Sequence, residues 1–366
     1  MVAAETSDLR WMRRALHHAR RGLGRTTPNP VVGACIVTDD DVVVADGTHE
    51  RAGEAHAEVH AIERAGECAR GATLYCTLEQ CAHMGRTGPC TERIIAAGIR
   101  RVVAAMEDPN PLVRGRGFDV LRAHGVEVSV GLERDAAIQL NRPFITAVRE
   151  ERPFVIMKSA TSLDGRIAAA PGRRTPITSA PALRHAQYAR AQVDAVAVGS
   201  ETILVDDPVL TARDVYRERP LTRVIFDRRL RTPPTARMFS TLDAGPVLIL
   251  TTGEGDALHR QRRADLMRVG ATLVGVDDPD IVTGLRALTS FDIQSVVIEG
   301  GAVMHAAAWD AGLVDCVQLY VGPMVLGAVG VPFLEGRPFA MGELQDLRVT
   351  PLGPDVLFEG YVHRPH

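Results

Sequence analysis

The feature that most constrains the fold of this chain is a set of four side chains between residues 56 and 90. His56 and Glu58 stand in the segment HAE, and Cys81 and Cys90 bound the segment CAHMGRTGPC. One imidazole and two thiolates can hold Zn²⁺ and leave its fourth position to water, while a nearby glutamate that is not a ligand moves protons. A fold that uses this set must bring distant parts of the chain to one point.

His56 and Glu58 begin a segment with helical spacing. Side chains two residues apart on an ideal helix point about 200° apart, because each residue turns by about 100°. The two residues can serve one metal only if it lies over the helix N-terminus, where the helix dipole also favours thiolate and hydroxide. Cys90 begins the apolar helical segment CTERIIAAGI, and Cys81 follows a strand and a loop. The pattern therefore predicts a zinc site built from two helix starts and the end of a strand.

Spacing alone leaves other ligand sets open. His49, His60 and His83 are also near in sequence, although His60 lies one turn beyond His56 and is expected along the helix face. A closed zinc site, with His83 as the fourth ligand, would give a scaffold that assembles other enzymes without turnover. Two buried thiols without metal are a further alternative. We adopt the open, catalytic site, because the HAE segment and both cysteines occur together.

Charge and composition argue against two classes of function. Zinc-dependent nucleic-acid deaminases use the same set of side chains. The formal net charge of −3 gives no overall basic field, so this class is not favoured. No apolar segment approaches the ~20 residues of a membrane span. The six cysteines are irregularly spaced, which is typical of a reduced cytoplasmic protein. We therefore expect a cytoplasmic protein without nucleic-acid or membrane partners. We also expect, independently of these patterns, a homo-oligomer with a small-molecule substrate.

The N-terminal segment MVAAETSDLRWMRRALHHARRG is rich in arginine, as transit peptides are. However, Leu9, Met12, Leu16 and Ala19 recur at helical spacing. The segment therefore predicts an amphipathic first helix of the folded domain.

The 366 residues exceed what one core usually supports, and helical and strand-like segments alternate in two series. The first series predicts helices packed on both faces of a sheet, and the charged segment at 148–154 predicts a linker. The second series predicts another α/β domain. Predicted helices of the first series lie at 8–22, 56–66, 90–98 and 115–124, and its strands at 31–37, 42–46, 73–78, 101–105 and 126–130. Strands of the second series are predicted at 154–158, 193–199, 222–227, 247–252, 271–276, 295–301 and 316–322.

Longer segments resemble the bifunctional riboflavin-biosynthesis deaminase–reductase family over nearly the whole chain. They are TPNPVVGACIV, HERAGEAHAEVHAI, TLEQCAHMGRTGPC and DPNPLVRGRGF in the first half, and KSATSLDGRIA, DAVAVGSETILVDDPVLT and IEGGAVM in the second. The resemblance implies an α/β fold: a cytidine-deaminase-like αβα domain at 1–150 and a dihydrofolate-reductase-like α/β domain at 151–366. It implies zinc-dependent hydrolytic deamination of 2,5-diamino-6-ribosylamino-4(3H)-pyrimidinone 5′-phosphate, followed by NADPH-dependent reduction of the ribosyl group to ribityl.

The resemblance also assigns roles in the first domain. It implies that Glu58 is the acid and base, and that the zinc ligands are His56, Cys81 and Cys90. The substrate contacts that it implies are Asn29, His49, Arg86, Asp108 and Asn110. An asparagine amide can pair with a pyrimidinone edge, and Arg86 or His49 can meet a phosphate. Asn29 and Asn110 also stand in Asn-Pro steps, so turn formation is the alternative explanation for both.

In the second domain the resemblance implies contacts with substrate and with NADPH. The expected substrate contacts are Lys158, Arg174, Arg190, Leu210, Arg213 and Glu299. The expected NADPH contacts are Ala160, Pro176, Thr202, Asp206 and Gly301. Lys158, Asp206 and Glu299 are the candidates to polarise and protonate the centre that receives hydride. Without the resemblance, Gly300-Gly301 would be interpreted as a structural turn, since no GxGxxG motif is present.

The chain departs from the family pattern at five positions. Gln80, Ala82 and Gly88 replace a proline, a serine and a proline near the cysteines. None of these is a ligand, so we expect zinc binding by a less rigid loop. Pro176 replaces a tryptophan and Leu183 an arginine in the second domain. Two interpretations of that domain stay open, an active NADPH-dependent reductase and a degenerate, non-catalytic reductase-like domain.

Overall fold

The computed structural model describes residues 2–82, 88–111, 113–253, 257–276 and 280–363. Contacts divide the chain into two compact units, with the division between Glu151 and Arg152. Each unit is built around its own β-sheet. Among the described residues, no helix combines the length and the apolar character needed to cross a membrane.

Among its described residues, the first unit contains five strands and five α-helices. The strands are β1 Gly33–Val37, β2 Val43–Thr48, β3 Thr73–Cys76, β4 Arg101–Ala104 and β5 Glu127–Val130. The helices are α1 Val2–Ala19, α2 Ala57–Ala65, α3 Cys90–Ala96, α4 Arg116–Ala123 and α5 Arg134–Glu150. The sheet order is β2-β1-β3-β4-β5, in which β1 is antiparallel to both neighbours and β3, β4 and β5 run parallel.

The core of this unit lies around β1, whose five residues are all buried. The first helix packs Trp11, Met12 and Leu16 into that core, so the predicted amphipathic helix is confirmed, although it begins earlier than expected. The start of α2 lies close against β2: a Cβ atom at Gly47 would lie 1.8 Å from the carbonyl oxygen of Ala57. Only glycine permits this approach, and it fixes the end of α2 that carries the HAE segment.

The boundary between the two units lies inside the predicted linker at 148–154, but the connection is shorter than predicted. Helix α5 continues to Glu150 and the next strand begins at Phe154, so only residues 151–153 separate them. The sequence did not suggest α5, in part because Pro143 lies inside it and removes one helical hydrogen bond. Burial of Ile138 and Ile145 against the sheet offsets that loss.

The described part of the second unit contains a nine-stranded sheet, a two-stranded ribbon and five α-helices. The sheet strands are β6 Phe154–Thr161, β8 Ala195–Gly199, β9 Thr222–Phe226, β10 Val247–Thr252, β11 Ala271–Val276, β12 Ser295–Ile298, β13 Cys316–Val321, β15 Gln345–Leu352 and β16 Asp355–Tyr361. The ribbon pairs β7 Arg166–Ala168 with β14 Val331–Pro332. The helices are α6 Ala180–Ala191, α7 Ser200–Asp206, α8 Ala257–Arg268, α9 Ile281–Ala287 and α10 Ala302–Asp310.

The nine strands are ordered β11-β10-β9-β8-β12-β6-β13-β16-β15. The first seven strands in this order run parallel to one another. Strand β16 is antiparallel to both of its neighbours, β13 and β15. All seven strand segments predicted for this half are strands. The hairpin of β15 and β16 was missed, because β15 is solvent-accessible along its length and lacks the alternation of a half-buried strand.

Neighbouring strands β8 and β12 form a crevice at their carboxyl ends. The chain leaves β8 through α7 towards β9, and it leaves β12 through α10 towards β13 on the opposite side. The Glu299 amide donates to the Ala197 carbonyl over 2.9 Å, which holds the two strand ends together. In open α/β sheets, such a reversal of direction is where ligands bind.

Candidate active sites

Three elements position the predicted zinc ligands. His56 is the N-cap residue of α2 and has an extended backbone (φ −74°, ψ 164°), so it stands at the open end of that helix. Cys90 is the first residue of α3. Cys81 lies in the loop after β3, and its carbonyl accepts the Thr91 amide over 3.3 Å, which ties this loop to the start of α3. The predicted arrangement of two helix starts and a strand end is confirmed.

The donor atoms of these residues converge. His56 Nδ1 lies 3.1 Å from Cys90 Sγ and 3.6 Å from Cys81 Sγ. One ligand atom from each residue lies within 4.8 Å of the others. A tetrahedral zinc ion needs separations of about 3.3–3.8 Å between such donors, given Zn–N and Zn–S distances of about 2.0–2.3 Å. The donor set therefore fits zinc. Of the alternative ligands, His49 and His60 do not join this cluster, and His83 lies outside the described residues.

The pKa values of the two thiols shift in opposite directions. The hydrogen bond from the Cys90 thiol lowers the pKa of Cys81 to about 4, and the same bond raises the pKa of Cys90. The hydrogen bond with Cys81 raises the pKa of the His56 imidazole. A thiolate facing donor groups is the arrangement in which a divalent metal replaces protons on binding.

Glu58 lies in the first turn of α2 and its side chain is buried. Burial raises the pKa of its carboxyl group to about 7. The Oε2 atom has no hydrogen-bond partner among the described residues. An unpartnered buried carboxylate oxygen costs free energy, and a catalytic role is one reason why a native protein retains such an atom.

Asn29 and His49 form one unit. The His49 Nδ1–H donates to the Ala55 carbonyl over 3.2 Å, which leaves Nε2 to accept the Asn29 amide over 3.0 Å. The amide nitrogen of Asn29 is thereby committed to His49. Asn141 of α5 exchanges two hydrogen bonds, of 2.9 and 3.0 Å, with the backbone of Val31, which fixes the segment that carries Asn29. The imidazole of His49 also lies edge-on to that of His56, with ring centroids 5.2 Å apart.

Asp108 and Asn110 belong to a loop between β4 and α4. The backbone N–H of Asn110 donates to Asp108 Oδ1 over 2.8 Å. The loop is fastened to the buried carboxylate of Glu79, which accepts backbone amides including that of Asp108 over 3.0 Å. The sequence analysis gave Glu79 no role, although this residue lies in the segment TLEQC, two positions before the predicted zinc ligand Cys81. Arg86, the remaining predicted contact in this unit, lies outside the described residues.

A second set of charged side chains meets at the end of β12, between this strand, β6 and α6. The Arg190 guanidinium donates to both carboxylate oxygens of Glu299 over 2.6 Å each, and to the Thr211 carbonyl over 2.9 Å. Lys158 Nζ lies 3.5 Å from Glu299 Oε2. Burial alone would raise the pKa of Glu299, but Arg190 and Lys158 outweigh it and lower the pKa to about 2. Lys158, Arg190 and Glu299 also line a cavity of about 10 Å³, enough for about one water.

The other predicted residues of the second unit lie on the surrounding elements. Thr202 and Asp206 are one turn apart on α7. Burial raises the pKa of Asp206, and the nearby charge of Arg174 partly opposes this effect. Arg174, Pro176 and Arg213 are exposed, Leu210 is buried with a positive φ of 57°, and Ala160 pairs with Tyr320 in the sheet. The structure thus brings together Lys158, Arg190 and Glu299, and the roles of these and the other residues as substrate or NADPH contacts stay predictions.

Gly300 and Gly301 connect β12 with α10. A Cβ atom at Gly300 would lie 2.8 Å from Cβ of Met304, so this position requires glycine. Gly301 is the N-cap residue of α10, and a Cβ atom there would meet nothing within 4 Å. Open space in front of the N-terminus of a nine-residue helix suits a phosphate group. This part of the crevice therefore fits a nucleotide cofactor.

The positions that depart from the family pattern differ in their surroundings. Gln80 is fully buried, and its amide donates to the Leu78 carbonyl over 3.0 Å. A Cβ atom at Gly88 would meet nothing within 4 Å. Pro176 and Leu183 are exposed, so neither disturbs the core of the second unit.

Two known protein families match this chain, one over each of the two candidate sites. The cytidine and deoxycytidylate deaminase zinc-binding region matches residues 5–106. The RibD C-terminal domain matches residues 153–358, the part with the crevice. The match over this second half supports an active reductase, and nothing in it indicates a degenerate one.

Relatives match over most of their length. The chain is 40% identical to the riboflavin biosynthesis protein RibD of Bacillus amyloliquefaciens, over 94% of both chains. It is also 40% identical to RibD of Escherichia coli, over 88% of this chain and 89% of that protein.

Solved structures agree. RibD of Acinetobacter baumannii superposes with a TM-score of 0.86 at 35% identity, over 98% of this chain and 100% of that one. The diaminohydroxyphosphoribosylaminopyrimidine deaminase/5-amino-6-(5-phosphoribosylamino)uracil reductase of Thermotoga maritima gives a TM-score of 0.84 at 34% identity, over 98% of this chain and 99% of that one. The chain therefore belongs to the RibD family of bifunctional deaminases and reductases of riboflavin biosynthesis.

Proposed function

We propose that the first unit deaminates 2,5-diamino-6-ribosylamino-4(3H)-pyrimidinone 5′-phosphate and that the second reduces the ribosyl group of the product to ribityl. We place the deaminase domain at 1–150 and the reductase domain at 151–366. The observation that carries the deaminase assignment is the convergence of His56, Cys81 and Cys90 next to the buried carboxyl group of Glu58. Three donors with a non-ligating glutamate are what hydrolytic deamination requires.

In this proposal His56, Cys81 and Cys90 hold zinc. When bound, zinc supplies a Lewis acid that activates water as a nucleophile near neutral pH. Glu58 takes a proton from the attacking water and passes it to the ring nitrogen beside the carbon under attack. It then delivers the second proton to the departing amine, so that a C–O bond replaces the C–N bond and ammonia leaves. The burial of Glu58 keeps bulk water away from this proton transfer.

The substrate contacts of the deaminase follow from the loops around the cluster. The hydrogen bond from Asn29 to His49 commits the amide nitrogen, so we assign the amide oxygen of Asn29 to the donors on the pyrimidinone edge. We assign Asp108 and Asn110 to the polar groups of the substrate, since their loop is fastened to the strand that leads to Cys81. Arg86 is proposed for the phosphate on the basis of its charge.

In the reductase, NADPH supplies the hydride when bound. We place its phosphates at Gly301 and the N-terminus of α10, and further contacts at Ala160, Pro176, Thr202 and Asp206. Glu299 is held as a carboxylate by Arg190 and Lys158, so we assign it to orient the Lys158 ammonium rather than to donate a proton. We then assign Lys158 and Asp206 as the proton donors to the substrate. We assign Arg174, Leu210 and Arg213 as further substrate contacts.

A coupled assay tests both assignments. Ammonia release is followed on the diaminopyrimidinone phosphate, and NADPH oxidation is followed separately on the deaminated product. We expect both signals, in that order when the first substrate alone is supplied with NADPH. Ammonia release without NADPH binding or oxidation would instead support the degenerate reductase-like domain, and absence of ammonia release from zinc-loaded protein would contradict the deaminase assignment.

We also propose a cytoplasmic homo-oligomer. All six cysteines are free thiols, which suits a reducing compartment. Strand β15 forms an open edge of the nine-stranded sheet, and Val349 on it is 55% exposed, a feature that suits pairing with a second chain. Light scattering coupled to size-exclusion chromatography tests this assembly, and a monomer at micromolar concentration would contradict it.

A further inference from the structure

Glu79 is a buried carboxylate surrounded by backbone N–H groups of one loop. Its Oε2 atom accepts the amides of Asp108 and Gly115 over 3.0 and 2.9 Å, and its Oε1 atom accepts the amide of Gly117 over 2.9 Å. The side chain is only 5% exposed. Hydrogen bonds to an ionised acceptor are about twice as strong as neutral ones, so these three contacts hold firmly.

The three contacts join the two ends of the loop. Asp108 lies near its beginning, and Gly115 and Gly117 lie at its end, where α4 starts. Between them the Asn110 carbonyl accepts the amides of Val113 and Arg114 over 2.9 and 3.0 Å, which makes a compact turn. Glu79 therefore closes the base of a loop whose turn begins at Asn110.

The same loop is pressed against the segment that leads to the cluster. A Cβ atom at Gly117 would lie 2.0 Å from the carbonyl oxygen of Gln80, the residue directly before Cys81. Only glycine allows the backbone of α4 to approach so closely. The position of the loop is thus set relative to Cys81 through Glu79 and Gln80.

We propose that Glu79 is a positioning residue for substrate binding in the deaminase. Its carboxylate holds Asp108 and Asn110 at a fixed distance from the cluster, and it contacts neither the substrate nor the metal. The inference rests on the proposed deaminase function and adds to it the group that presents the loop. Loss of the carboxylate should therefore raise KM while leaving kcat and zinc content nearly unchanged.

The test compares Glu79→Gln with Glu107→Gln in the full-length, zinc-loaded protein. The first substitution replaces one acceptor oxygen by an NH₂ group that faces backbone N–H donors. The second removes the same charge from the same loop, but the Glu107 side chain is 43% exposed and pairs only with the Arg114 side chain over 2.6 Å among the described contacts. We expect KM to rise about tenfold or more in Glu79→Gln, with kcat within about threefold, and no change in Glu107→Gln.

Amide exchange provides a second readout. Exchange at Asp108, Gly115 and Gly117 should accelerate in Glu79→Gln only. If Glu79→Gln does not fold, Glu79→Asp, which keeps the charge but shortens the side chain, should give a KM above that of wild type. A wild-type KM with unaltered exchange, or a rise in KM that is matched by loss of zinc, would overturn the inference. Wild-type protein that releases no ammonia would contradict the proposed function instead, and amide exchange would still report on the loop.

Discussion

Arg190 and Glu299 face each other through two hydrogen bonds of 2.6 Å at the carboxyl end of β12. The pair is nearly enclosed, with 15% and 9% of the two side chains exposed. Lys158 approaches the same carboxylate from β6. The end of β12 therefore carries a fixed negative charge between two cations, and this charge controls where the ammonium of Lys158 lies.

The first prediction concerns the stability of the second unit at low pH. The pKa of Glu299 is about 2 in the folded protein, below its ordinary value of 4.5. The stabilisation is therefore fully present above about pH 4.5 and is lost as the pH falls towards 2. We expect the difference in unfolding free energy between wild type and Glu299→Gln, on the order of 3 kcal/mol at pH 7, to shrink below pH 4. Denaturant unfolding at pH 7 and pH 3 measures this difference, and a constant difference would contradict the prediction.

The second prediction separates proton transfer from metal binding in the first unit. Glu58→Gln keeps the size of the side chain but cannot carry a proton, so ammonia release should fall by about 10²–10⁴ while zinc content stays the same. Glu63→Gln is the matched control, because Glu63 lies on the same helix, is exposed and pairs with Arg93 over 2.9 Å. Steady-state ammonia assays and metal analysis measure the two effects. Comparable ammonia release in both variants would rule out a proton-transfer role for Glu58.

A third prediction concerns metal removal. The described residues of the second unit contain no cluster of metal-ligating side chains comparable to that of His56, Cys81 and Cys90. Treatment with a chelator should therefore abolish ammonia release but leave NADPH oxidation on the deaminated product within about twofold of the untreated protein. Readdition of zinc should restore ammonia release. Parallel loss of both activities would show that the reductase also depends on the metal.

The sequence predicted the zinc cluster well because its residues occupy element ends. Helix starts at His56 and Cys90 are visible as changes from loop residues to helical spacing, and β3 is visible as an apolar segment. Because strands and helices alternate along the chain and pack in layers, the starts of these helices and the end of β3 are expected to lie close together. Element ends alone left His49, His60 and His83 as alternative ligands, and the co-occurrence of the HAE segment with both cysteines selected His56, Cys81 and Cys90.

Other features depend on contacts that no local pattern records. Glu79 binds backbone amides that lie about 30–40 positions later in the chain, and backbone donors leave no side-chain signature. Helix α5 includes Pro143, which by itself predicts a helix end. The role of Arg190 also differs from a simple substrate contact, since its guanidinium is engaged with Glu299 and with the Thr211 carbonyl.

The last prediction tests the proposed NADPH site at Gly301. The residue has an extended backbone (φ −70°, ψ 179°) that other residues can adopt, and a Cβ atom there would enter open space. Gly301→Val should therefore fold, at a cost of about 1 kcal/mol for the altered helix cap. The new side chain would occupy the space assigned to phosphate, so we expect the Kd for NADPH to rise about tenfold or more.

Gly275→Val is the matched control for this substitution. A Cβ atom at Gly275 also meets nothing within 4 Å, but the residue lies on the edge strand β11, four strands from β12 in the sheet order. Fluorescence titration with NADPH measures the Kd of both variants, and thermal unfolding measures their stability. If Gly301→Val binds NADPH as tightly as Gly275→Val and wild type do, the phosphates do not lie at the N-terminus of α10.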